Sequence, residues 1–196
     1  MVVADLGDEV TWSPLEIVAI AFTLANVWLA VKENMWTWPT GIVSVVLYAI
    51  VFYQSRLYAN AGLQVIYFLL SIHGWYEWLH GGDNRTKLRV RKTTARQWVG
   101  CMIAGIVLTA LLMWLLQTVN GSAPFSDAVT TAFSIVGQWM LNEKLLETWI
   151  IWLAVDIIYV PLFVFSQRGA SAALYAFFCI LCVKGYFDWK RSLASA

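Results

Sequence analysis

The stretch WIIWLAVDIIYVP, Trp149–Pro161, is apolar on both sides of a single carboxylate, Asp156. Trp149, Trp152, Asp156 and Tyr159 are spaced at i, i+3, i+7 and i+10, so a helix carries all four on one face. Pro161 has no N–H to donate and its ring crowds the preceding turn, which predicts a kink or hinge beside Asp156. With its flanks the run is long enough to cross a bilayer, and the rest of the chain follows from that.

Soluble domains carry about 25% charged residues. This chain of 196 residues carries 13%, with 60% hydrophobic residues and 12 Trp, which is the composition of a membrane protein. A net charge of +1 leaves no basic field for nucleic acid. The first dozen residues carry Asp5, Asp8 and Glu9 and no Lys or Arg, so no signal peptide is expected. Cys101, Cys179 and Cys182 all fall in apolar runs and read as small packing residues, although Cys179 and Cys182 form a C-x-x-C string.

A spanning helix needs about 17–25 largely apolar residues. Seven such runs are predicted, over 14–32, 39–54, 58–79, 98–118, 125–142, 147–166 and 169–189. The loop 80–97 between the third and fourth carries Arg85, Lys87, Arg89, Arg91, Lys92 and Arg96 against Asp83, which makes it cytoplasmic by the positive-inside rule. The N-terminus then lies outside and the C-terminus inside. Lys32, Lys144, Lys184, Lys190 and Arg191 join the loop on the inner face, and only Arg56 and Arg168 fall on the outer one.

The stretch around Asp156 also has a counterpart. Sliding the chain by 111 positions, without gaps, superimposes Trp28 on Trp139, Trp38 on Trp149, Tyr48 on Tyr159, Gly74 on Gly185 and Trp78 on Trp189. The repeat unit is three helices. Because three is odd, the extra helix 98–118 is needed to bring the second unit into the same orientation as the first. The expected fold is therefore an all-α membrane protein of seven transmembrane helices in a three-plus-one-plus-three order. A first repeat spans 14–79, the basic loop 80–97, a linker helix 98–118 and a second repeat 125–189, the two repeats being parallel. The position matching Asp156 is Val45, so the carboxylate is an addition to the shared scaffold.

An Asp at the centre of a span costs about 2.5–3.5 kcal/mol on insertion scales, and such residues usually face a cavity or a partner. Aromatic rings beside a carboxylate suit a flat, apolar ligand, charged or not, through stacking and, for a cation, cation–π attraction. Of the rings, Trp152 is the better contact, because Trp149 sits near a helix end where interfacial Trp is ordinary. On the third span Asn60, Gln64, Tyr67 and Ser71 share one face, and the Gln64 amide can both donate and accept. Gln138 and Asn26 are weaker candidates. Lys184 and its repeat mate His73 both precede a Gly near the cytoplasmic edge, where snorkelling explains a lysine. The sequence contains no G-x-S-x-G, H-E-x-x-H or Walker motif. Neither an enzyme nor a metal or other cofactor is expected.

Three stretches carry a resemblance. LYANAGLQVIYFLLSIHGWYEW (57–78) and WIIWLAVD (149–156), with the closing GYFDW, resemble the signatures of the PnuC family of vitamin transporters, including its W-x-x-W-x-x-x-N/D motif. The resemblance covers essentially the whole chain. It implies a SWEET-like fold, a bacterial inner-membrane location and facilitated diffusion of a vitamin such as nicotinamide riboside, trapped by a cytoplasmic kinase. It also implies substrate binding at Trp149, Trp152, Asp156 and Gln64. Better-known riboside carriers have Asn where this chain has Asp156, and thiamine-transporting relatives share the scaffold, so thiamine is the rival substrate. Other readings are a proton-coupled carrier using Asp156 and a retinal protein with Lys184 as its Schiff-base lysine. Partners are thus the small cationic vitamin, the bilayer and the kinase, with homo-oligomerisation left open.

Overall fold

The computed structural model describes residues 13–118 and 124–195; the acidic N-terminal segment lies outside them. Among the described residues there are seven α-helices: α1 (Pro14–Val31), α2 (Thr37–Gln54), α3 (Tyr58–His80), α4 (Ala95–Thr118), α5 (Pro124–Asn142), α6 (Thr148–Phe165) and α7 (Gly169–Ala194). A single 3-10 turn, Asp83–Arg85, follows α3.

Five of the helices, α1, α2, α4, α6 and α7, are long and apolar enough to cross a membrane. The other two expected spans form helices of 23 and 19 residues, α3 and α5, that carry more polar side chains. These include Asn60 and Gln64 on α3 and Thr130 and Gln138 on α5.

Helix ends differ from expectation for local reasons. α2 begins at Thr37, so Pro39 lies inside its first turn, where a missing N–H costs nothing. Ser13 and Glu16 cap α1 reciprocally, Glu16 N–H donating to Ser13 Oγ and Ser13 N–H to Glu16 Oε2. Thr94 and Gln97 form the same box before α4, which starts that helix three residues earlier than the apolar run. α6 continues through Pro161 as one element.

The chain divides into two compact units, Met1–Leu88 and Arg89–Ala196. In the first, α2 packs between α1 and α3. The Thr23 and Ser44 hydroxyls pair at 2.6 Å, and Asn26 Nδ2 donates to the Thr37 carbonyl at 2.6 Å. In the second, α4 packs on α5, α5 on α6 and α6 on α7. Gly105 of α4 lets the Phe133 ring approach, since a Cβ there would stand 2.8 Å from it.

Residues 111 apart take up the same local geometry, each within its own unit. Trp38 meets Trp78 edge-on at 5.2 Å, and Trp149 meets Trp189 edge-on at 5.3 Å. Tyr48 stacks on Phe52 as Tyr159 stacks on Phe163, both at 5.8 Å. The Thr37 hydroxyl donates to the Asn26 carbonyl and the Thr148 hydroxyl to the Gly137 carbonyl. Even the left-handed residues that end the helices match: Glu33 with Lys144, and Arg56 with Gln167.

The basic loop is fastened along its second half. Arg91 N–H donates to the Lys144 carbonyl, and Leu146 N–H donates to the Arg91 carbonyl. The Arg91 guanidinium pairs with Glu143. Thr93 gives both its N–H and its hydroxyl to Glu147 Oε2, at 2.7 and 2.6 Å. Leu88 and Val90 are buried between exposed Lys87, Arg89 and Arg91, an alternation that turns the cations outward.

Candidate functional site

The expected face of α6 is present, but its four residues have different surroundings. Trp149 is buried, with its indole against Trp189 and directly over Gly185; a Cβ on that glycine would stand 2.5 Å from Trp149 Cε2. Its Nε1 meets no acceptor among the described residues, and neither does that of Trp38. Trp152, one turn on, is only partly buried, and its Nε1 lies beside Gly137 of α5. Of the two rings Trp152 is therefore the one with surface left for a ligand.

Asp156 is 5% exposed. Among the described residues the one group that donates to its carboxylate is the Cys182 thiol, 3.5 Å from Oδ2. A thiol is a weak donor, and no other described side chain or backbone N–H donates to this carboxylate. Its apolar surroundings in the sequence mark Cys182 only as a packing residue. A C-x-x-C string on a helix gave no sign that its second cysteine would face α6, because that depends on how α6 and α7 pack.

Tyr159 is tied down. Its hydroxyl donates to Thr130 Oγ1 at 2.9 Å, and Thr130 in turn donates to the Ser126 carbonyl. Its ring lies 4.8 Å from Tyr175 of α7. It borders Asp156 on the same face of α6.

In the first unit Asn60, Gln64 and Tyr67 of α3 are partly buried. The amides of Asn60 and Gln64 meet no hydrogen-bond partner among the described residues. Ser71, on the same face, donates to the Tyr67 carbonyl at 2.8 Å. Asn26 is spent as a clamp between α1 and α2, and Gln138 donates to buried Asn142. Lys184 pairs with Asp188 at 3.0 Å, and Arg191 approaches the same carboxylate at 3.9 Å, a charged cluster near the end of α7. Among the described residues no group of His, Cys, Asp and Glu is arranged to hold a metal.

A set of helices long and apolar enough to span a bilayer, with a buried carboxylate and aromatic rings on one of them, is the make-up of a multi-pass membrane protein. The chain belongs to the nicotinamide mononucleotide transporter family, whose pattern residues 13–191 match. It is similar to the nicotinamide riboside transporter PnuC of Escherichia coli, at 25% identity over 95% of this chain and 88% of that one. It is 30% identical to the riboflavin/roseoflavin transporter RibM of Streptomyces davaonensis, over 92% of this chain and 85% of that one. The crystal structure of the vitamin B3 transporter PnuC superimposes with a TM-score of 0.74 at 26% identity, covering 92% of this chain and 82% of that chain. These relatives are transporters and not enzymes, and membership of their family removes the retinal-protein reading.

Proposed function

We propose that this protein carries nicotinamide riboside into the cell by facilitated diffusion, with Asp156, Trp152, Trp149 and Gln64 forming the substrate site. The observation that carries the proposal is Asp156: a buried carboxylate on a long apolar helix, to which one thiol alone donates among the described residues. A flat cation supplies what that face lacks, a positive charge for the carboxylate and a ring for the indole. Asn60, Tyr67 and Tyr159 complete the lining or hold it in shape. The relatives named for nicotinamide riboside support this choice of substrate.

The proposed architecture is two parallel three-helix units, α1–α3 and α5–α7, with α4 as the connecting span. The matched tryptophan pairs and left-handed helix ends support it. Alternating access in such repeat-built carriers rests on motion of one repeat against the other, and Pro161 is the proposed hinge within α6. The basic segment 80–97 faces the cytoplasm of a bacterial inner membrane, the N-terminus lies outside, and phosphorylation by a cytoplasmic kinase retains the substrate.

Calorimetry on the detergent-purified protein tests the site. Nicotinamide riboside should bind, and Asp156→Ala and Gln64→Ala should each weaken it by tenfold or more. Undiminished binding in both variants would sink the assignment. The RibM relative favours a second reading, a neutral flavin as substrate. Titrating riboflavin and thiamine in the same cell separates the cases. Uptake that persists when the proton gradient is collapsed excludes proton coupling.

A further inference from the structure

Cys182 of α7 is 3% exposed, and its thiol is the protein's one described donor to the Asp156 carboxylate. No transporter signature in the sequence includes it. The equivalent pair in the first unit, 111 residues earlier, is Val45 and Ser71. There, with no carboxylate opposite, the Ser71 hydroxyl turns back onto its own helix and donates to the Tyr67 carbonyl at 2.8 Å. Hydroxyls on helices commonly do this. The Cys182 thiol instead points across to the acid on α6. The second unit has changed both members of the pair.

We infer that Cys182 is a positioning residue for substrate recognition: its thiol donates to Asp156 Oδ2 and sets the plane of the carboxylate, leaving Oδ1 as the oxygen offered to a donor or cation on the substrate. The inference rests on the placement of Asp156 in the substrate site. A weak donor suits the task. It orients the carboxylate without cancelling its charge, whereas a strong cationic partner would compete with a cationic substrate.

The test combines affinity with a spectroscopic reading of the thiol. Riboside affinity should fall about three- to tenfold in Cys182→Ala and in Cys182→Val. Cys182→Ser should lie between these and the wild type, because its hydroxyl divides between Asp156 and the carbonyl one turn back. In a Cys101→Ala/Cys179→Ala protein the remaining S–H stretch should be lowered by the bond to Asp156. It should move to the free-thiol position in Asp156→Val, and it should shift when riboside binds. The infrared reading needs no measurable affinity in the variants, and melting curves report whether each is folded. If Cys182→Ala and Cys182→Val bind like the wild type while Asp156→Ala does not, the inference is overturned and the site stands. An S–H stretch indifferent to Asp156→Val overturns it equally. If Asp156→Ala itself binds like the wild type, the site assignment falls and the inference with it.

Discussion

Gly185 and Trp149 share one space, and no larger residue fits at position 185. A Cβ there would stand 2.5 Å from Trp149 Cε2, so the indole, packed edge-on against Trp189, would have to shift. Gly185→Ala should cost about 1–3 kcal/mol, seen as a lower melting temperature. It should also weaken substrate binding, since a displaced Trp149 disturbs the helix that carries Asp156. Tyr159 is a milder case. Tyr159→Phe removes one bond to Thr130, whose hydroxyl still donates to Ser126, so the expected loss is about 1 kcal/mol in denaturant titration. The pattern of four residues on α6 was readable from their spacing, because a 3.6-residue period fixes a shared face. Which of the four packs, which is clamped and which keeps free surface was not readable. Those differences come from Gly137, Thr130, Cys182 and Gly185 on neighbouring helices.

At the scale of elements, the informative piece is the segment between α3 and α4. Its charges were legible and gave an orientation, but its attachment was not. Thr93 and Arg91 grip Glu147 and Glu143 at the turn that leads into α6. Glu147 is the residue immediately before that helix. The segment therefore restrains the start of the helix on which the substrate site is proposed. Glu147→Ala leaves two Thr93 donors without their carboxylate, and a loss of about 2 kcal/mol is expected. Hydrogen exchange should rise at Thr93 and at the amides of the α5–α6 turn, with little change in the first unit. A stability loss without that local change in exchange would argue against the restraint. The boundaries of α2 and α4 show the complementary lesson. Both began earlier than the apolar runs, because a first-turn Pro and a capping box are local signals that hydropathy does not weigh.

For the whole molecule, the proposed orientation makes a prediction independent of substrate. Single cysteines at Lys92 and Lys190, introduced into a chain cleared of its own three, should react with a membrane-impermeant maleimide only after the membrane is opened. Cysteines at Arg56 and Arg168 should react in intact cells. The reverse pattern would invert the topology. The charges behind this prediction are visible in the sequence, since Lys and Arg respond to the two faces of the membrane and need no folded partner to do so.

The same holds for the helices, for their spacing and for the 111-residue repeat. Each is a matter of apolar period and chain distance, which a sequence states directly. Tertiary packing settled what that period leaves open. It placed a thiol from α7 against the acid of α6, turned Asn26 into a clamp and tied a loop of cations to the turn before α6. Those pairings join residues 11 to 54 positions apart. They exist only because packed helices bring distant side chains within bonding distance, and no local pattern in the chain encodes that meeting.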